Sequence, residues 1–151
     1  MKVIRIITTI LVSVGMALIL ACSEEKTASL EGNEDIAAVI QKLAECYDNP
    51  NTAMEIYTDD AILIVNTHKL GLVKLTGSKE IGDYKKERGK SLVVSKVTIN
   101  SIKKEADKAH VEYSFFRPGV EGKSFDITIE GSAEMVKKGQ TWKIKSDRLE
   151  Y

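Results

Sequence analysis

Apolar and polar positions along the chain change period several times, and each change marks an element. An uncharged, mainly apolar run occupies Ile6 to Ala21, and a short, acidic, polar stretch follows from Ser23 to Gly32. Ile36, Val39, Ile40, Leu43 and Tyr47 then recur at helical spacing, which predicts a first helix with one apolar face. Asn33 stands at its start as an N-cap, with Glu34 and Asp35 in the first turn, where the helix dipole favours acid. Asp48-Asn49-Pro50 stops it, and Thr52-Ala53-Met54-Glu55 has the capping-box pattern of a short second helix reaching Tyr57. Asp59-Asp60 predicts a turn into the buried strand Ala61-Ile62-Leu63-Ile64-Val65. Asn66-Thr67-His68-Lys69 predicts a second turn, and residues 70–75 a return strand. Gly77-Ser78 caps a third helix over residues 79–88, with Ile81 and Tyr84 on its inner side. Four long strands follow, over residues 92–103, 109–117, 123–137 and 141–149. Their turns lie at Glu105-Ala106-Asp107-Lys108, at Pro118-Gly119 with Glu121-Gly122, and at Lys138-Gly139-Gln140.

Helices followed by a meander of long antiparallel strands give an α+β fold with helices on one face of the sheet. Alternation sorts the strand residues by face. Val111, Tyr113 and Phe115 share one face, against His110, Glu112 and Ser114. Phe125, Ile127, Ile129 and Ala133 oppose Asp126, Thr128, Glu130 and Glu134, and Trp142 and Ile144 oppose Thr141, Lys143 and Lys145. The apolar sets face the helices, which leaves His110, Asp126, Glu130 and Lys143 on the solvent side.

The element order resembles the NTF2-like superfamily, and within it the SnoaL-like or DUF4440-type domains. The resemblance is carried by Tyr57-Thr58-Asp59-Asp60-Ala61-Ile62-Leu63, by the helix start Gly77-Ser78-Lys79-Glu80-Ile81, and by the late strand Gly139-Gln140-Thr141-Trp142-Lys143-Ile144. It covers residues 33–151. It implies a cone of three N-terminal helices packed on a curved, mainly antiparallel sheet. It implies no single function, because the superfamily holds isomerases, cyclases, dehydratases, transport factors and pocket-bearing domains of unknown role.

The N-terminal run changes the picture of where the domain works. Lys2 and Arg5 precede it, and Ala21-Cys22 ends it, the order of an export signal with a small residue at the cleavage point. At about 16 residues it is short for a spanning helix, which takes roughly 20. The segment Ile19-Leu20-Ala21-Cys22 resembles a bacterial lipobox, with Leu20 large for its slot. The resemblance implies a signal peptide over 1–21, lipidation of Cys22 as the new N-terminus, and a flexible tether over 22–32. The domain is then held at the cell envelope, on the periplasmic side of the outer membrane in a diderm host and on the outer face of the cell membrane otherwise. A simple secreted form is the competing reading.

Loss of the signal removes Lys2 and Arg5, so of 22 basic residues 20 remain against 22 acidic ones, a net charge of −2. No basic stripe exists, so nucleic acid is excluded as the expected partner. The roughly 120 residues beyond the tether suffice for one compact domain with one core. With Cys22 lipidated, Cys46 has no intrachain partner and reads as a buried thiol. The charged outer sheet face points to a monomer or a weak homodimer.

Candidate chemistry is sparse. The inner face offers Tyr113 as its acid–base group, and no interior Asp, Glu or His is evident. A bulge would shift alternation by one residue and bring Asp126 inward. Asp59 and Asp60 read as turn and capping residues or as a carboxylate pair. His68 lies in a turn and titrates near neutrality when unperturbed. Neither histidine has a ligand partner at recognisable spacing (Glu112, two residues after His110, is the nearest), so no metal or other cofactor is expected. Tyr47, Tyr57, Tyr113, Phe115 and Trp142 read as the lining of a pocket for a small apolar ligand. The expected function is therefore non-catalytic binding of such a ligand or of a partner protein. The alternative is a SnoaL-like or ketosteroid-isomerase-like enzyme.

Overall fold

The computed structural model describes residues 30–67, 71–90, 94, 96–119 and 125–151. Cys22 and His68 lie outside them. The elements are α1 (Glu34–Gln41), a single 3-10 turn (Glu45–Tyr47), α2 (Asn51–Ile56), β1 (Tyr57–Thr67), β2 (Gly71–Thr76), α3 (Ser78–Gly89), β3 (Lys96–Glu105), β4 (Lys108–Arg117), β5 (Ile127–Lys138) and β6 (Thr141–Glu150). This is the order the sequence predicts, but α3 follows the β1–β2 hairpin, so only two short helices precede the sheet.

The first helix keeps its apolar face and changes its winding. The Leu43 amide bonds to the Ile40 carbonyl at 3.0 Å and the Tyr47 amide to that of Ala44 at 3.2 Å, a tightened last stretch that still buries Ile36, Ile40, Leu43 and Tyr47. Asn33 sits at the N-cap position without a side-chain cap bond. The capping box at Thr52 does not form either. Pro50 takes the cap position of α2, where a residue with no N–H to satisfy fits, and Asn49 Oδ1 accepts from the Asn51 amide at 3.1 Å. Thr52 is buried instead. Asp59 and Asp60 do not form a turn. They lie inside β1, where its register with β6 shifts between Tyr57 and Ile62.

The six strands order as β2-β1-β6-β5-β4-β3; β1 and β6 run parallel and every other pair antiparallel. Two further register shifts, at Ile99/Ser101 in β3 and at Ile144/Ser146 in β6, bend the sheet around the helices, as bulges do. The buried side carries Val111, Tyr113 and Phe115 of β4, Ile129, Ala133 and Met135 of β5, and Trp142 and Ile144 of β6, as alternation predicts. Phe125 and Ile127 depart from it. Phe125 precedes β5 and is 90% exposed, and Ile127 stands exposed where pairing with β4 begins.

Trp142 ties β6 to α1: its buried indole donates through Nε1 to an Asp35 carboxylate oxygen at 2.8 Å. Burial pulls the Asp35 pKa up, but this bond, the Ile36 amide and Lys104 outweigh it and hold the carboxyl below its ordinary value. Trp142→Phe is expected to cost about 1 kcal/mol at neutral pH. A depressed folded pKa means that the bond's stabilisation is complete above the ordinary Asp value and is lost as pH falls through the depressed one. The gap between wild type and variant in urea unfolding should therefore narrow in acid.

Candidate functional site

The extra residue in β6 sets the interior chemistry. Inward positions are Trp142 and Ile144 before the bulge, and Asp147 and Leu149 after it. Asp147 thereby lies in register with Ala133 of β5 and Leu63 of β1, fully buried. Its two carboxylate oxygens accept hydrogen bonds from the hydroxyls of Tyr57 and Tyr113. Tyr113 reaches it diagonally across β5, and its cross-strand neighbour there is Gly131. A Cβ at Gly131 would sit 2.4 Å from the Tyr113 ring, so the glycine is what lets the phenol lie across the strand.

The other half of the site comes from α3. Ser78, Ile81, Gly82 and Lys85 form its buried stripe, spaced as one helical face. Gly82 and Gly89 let the helix press close: added Cβ atoms would stand 2.5 Å from the Pro50 carbonyl oxygen and 2.1 Å from that of Tyr47. This approach drives the Lys85 side chain inward until it is wholly buried. Its Nζ lies 3.7 Å from Asp147 Oδ2. It also lies 5.2, 5.6 and 5.8 Å from the ring centres of Tyr47, Tyr57 and Phe115. The rings brace one another edge to face, Tyr47 on Phe115 at 6.0 Å and Tyr113 on Phe115 at 5.3 Å.

Burial, reinforced by the negative Asp147, pushes both Tyr57 and Tyr113 well above the ordinary phenol range, so both stay protonated and act as donors. Burial likewise raises Tyr47 and, at the site's edge, Tyr151. Cys46 is pushed up to about 11, by burial first, with the nearby Lys85 charge opposing. The thiolate is the reactive form, so Cys46 should resist a thiol reagent at pH 8 in the native protein and react at once in urea. Rapid native labelling would contradict this account of its surroundings.

Of the residues predicted to line a pocket, Tyr47, Tyr57, Tyr113 and Phe115 converge around Lys85 and Asp147, whereas Trp142 is engaged with Asp35. The predicted acids lie elsewhere. Asp126 is exposed and accepts from the Gly119 amide at 2.7 Å, closing the β4–β5 connection; the bulge that brings an acid inward is in β6, not β5. Asp60 pairs with Lys145, whose hydrogen bond and charge hold its carboxyl below the ordinary value. Asp59 and Asp60 border a surface groove of about 380 Å³ with Thr58, Lys138 and Lys143. His110 stays on the outer face with Glu134 at 2.6 Å. The expectation of an interior without acids is corrected by Asp147. Lys85 was hidden among the charges of α3, although its place in the i, i+4, i+7 stripe of Ile81, Lys85 and Arg88, between two glycines, is a legible hint.

The cluster is poor in open chemistry. Tyr57, Lys85, Tyr113 and Asp147 are all fully buried, and a general base must come within hydrogen-bond reach of a substrate proton. Both Asp147 oxygens are already engaged. Among the described residues no group of three or more His, Cys, Asp or Glu side chains is placed to hold a metal ion.

No protein-family model matches the chain, and no curated protein matches it in sequence. Solved structures do. An NTF-2-like protein of unknown function from Silicibacter pomeroyi superposes with a TM-score of 0.62 at 11% identity, over 79% of this chain and 94% of that one. Another from Shewanella oneidensis gives 0.62 at 18% identity, over 80% and 99%. A hypothetical protein with a ketosteroid isomerase-like fold from Catenulispora acidiphila, in complex with trimethylamine, gives 0.53 at 20% identity, over 75% and 84%. The chain thus has an NTF2-like fold, with a curved, mixed sheet of six strands and a few short helices.

Proposed function

We propose that this is a non-catalytic, ligand-binding domain of the cell envelope, tethered through a lipid on Cys22 and working as a monomer or weak homodimer. The observation that carries the reading is the convergence of Tyr47, Tyr57, Tyr113 and Phe115 around one buried ion pair. Aromatic walls with few, fixed polar groups are the composition of small-molecule sites. The likeness to the Catenulispora acidiphila protein, which holds trimethylamine, supports a small organic ligand. Both Asp147 oxygens are engaged with tyrosine hydroxyls, which argues against its service as a catalytic base. The lipid anchor is supported by the sequence alone, through the lipobox-like segment ending at Cys22.

One observation favours a second reading. An interior carboxylate between two tyrosine hydroxyls is the kind of group an isomerase-like enzyme needs. That reading requires Asp147→Asn to abolish a turnover that the wild type shows.

The test is the mass of protein purified from membranes of its own host. Denatured, it should lack residues 1–21 and carry acyl chains on Cys22; an unmodified Cys22 refutes the anchor. Native, it should retain a discrete small molecule; a bare chain in every preparation refutes stable ligand binding.

A further inference from the structure

The buried ammonium of Lys85 has no hydrogen-bond acceptor among the described residues, though a carboxylate oxygen lies 3.7 Å away. What surrounds it are the three ring faces of Tyr47, Tyr57 and Phe115, between 5.2 and 5.8 Å from Nζ. Ring quadrupoles attract a cation at these distances, most strongly where water is excluded, and they do so without hydrogen bonds. A carboxylate at the back supplies the counter-charge, itself fixed by two tyrosine hydroxyls. We infer that the interior of this cone is a cation-recognition cage whose resident guest is the chain's own lysine, and that with this side chain cut away the cage accepts a small primary alkylammonium in its place. The chemistry of the cage alone carries this. It goes beyond the ligand-binding reading above and stands whether or not a natural ligand is retained.

The fold treats Lys85 as a guest to be delivered. Gly82 and Gly89 are the two contacts that allow α3 to approach the Pro50 and Tyr47 carbonyls, and Lys85 lies between them on the same stripe. The cage walls come from other elements: Tyr47 from the 3-10 turn, Tyr57 from β1, Phe115 from β4 and Asp147 from β6. They are braced by one another and by the sheet, so cutting the lysine short leaves walls of unchanged chemistry.

Lys85→Ala in the otherwise complete chain tests this. The severed piece has four heavy atoms, and propylammonium supplies the same number with the same charge. Propylammonium should raise the melting temperature of Lys85→Ala by roughly 5 °C and leave the wild type unmoved. 1-Propanol, of equal size and no charge, should not, since it leaves the carboxylate uncompensated. Adding Asp147→Asn should erase the effect. A folded Lys85→Ala that ignores propylammonium, or that responds equally to 1-propanol, overturns the inference. Should Lys85→Ala fail to fold without additive, folding on propylammonium alone supports it. Should it fold with neither, the wild-type Lys85 ε-methylene protons decide. Three facing rings should move them well upfield of an ordinary lysine, and an unshifted resonance overturns the cage.

Discussion

Asp147→Asn is expected to destabilise the domain by about 3–5 kcal/mol, the cost of leaving one member of a buried pair without its partner. The asparagine keeps the size of the side chain, so packing is nearly preserved, but its single oxygen can accept from only one of Tyr57 and Tyr113, because its amide nitrogen donates. What is lost is the negative charge that faces Lys85, whose ammonium stays wholly buried 3.7 Å away. A domain of this size has a total stability of about 5–15 kcal/mol, so the variant should unfold at much lower urea with an unchanged slope. Removing a single donor should cost less. Tyr57→Phe and Tyr113→Phe each give up one bond to a charged acceptor, about 1.5–3 kcal/mol. If Asp147→Asn instead proves neutral, the pair does not organise this core.

Gly131→Ala is the second large effect, although it adds only one methyl group. The new Cβ would lie 2.4 Å from two Tyr113 ring atoms and 2.8 Å from its hydroxyl oxygen. The ring cannot swing away freely, because Phe115 braces it and its hydroxyl is bonded to Asp147. Overpacking of this kind costs about 1–3 kcal/mol, and displacing the phenol adds the loss of its charged hydrogen bond. The cost should fall sharply in a Tyr113→Leu background, where no ring crosses the strand. Equal costs in both backgrounds, measured by thermal or urea unfolding, would show that the glycine serves the backbone rather than the tyrosine. Gly139→Ala is the contrast: that glycine has φ +63° and nothing near its missing Cβ, so it should cost only the strain of a turn, about 1 kcal/mol.

Much of this architecture is legible in the amino-acid order. The periods of three to four and of two separate helices from strands, and the turn residues place the long strands of β3 to β6 within a few positions. The inward set of β4 follows from alternation alone. What fails is anything that depends on an inserted residue. Alternation counted from Trp142 and Ile144 puts Ser146 and Arg148 inward, and only the extra residue between Ile144 and Ser146 exchanges them for Asp147 and Leu149. The run Lys145-Ser146-Asp147-Arg148 hides this, because between Ile144 and Leu149 it offers no apolar residue to betray the change of face. Asp59 and Asp60 mislead for a related reason: the irregularity in β1 absorbs residues that resemble a turn. Lys85 escapes a reading of the sequence because a lysine on a charged helix is ordinarily solvated. Its burial depends on how closely α3 approaches, which is set by Gly82 and Gly89 and by partners far away in sequence. Trp142 reads as pocket lining by composition, yet its indole N–H has a nearer claim on Asp35.

These particulars bear on function. An aromatic interior alone suits an apolar ligand. The same interior with a caged ammonium and a clamped carboxylate has its polar groups engaged with one another, which leaves none of them free for turnover. The outer sheet face agrees with this division of labour: its polar side chains pair across strands, as His110 does with Glu134 and Ser101 with Glu112.

The most direct measurement is the double-mutant cycle of Lys85→Met and Asp147→Asn, followed by urea unfolding at neutral pH. If the two side chains form one buried unit, each single change strands the other charge, and the pair together strands neither. The double variant should then recover about 2–3 kcal/mol relative to the sum of the singles. Additive costs would contradict the account, because they would mean that Lys85 and Asp147 are two separate buried groups and that the cage has no occupant to recognise.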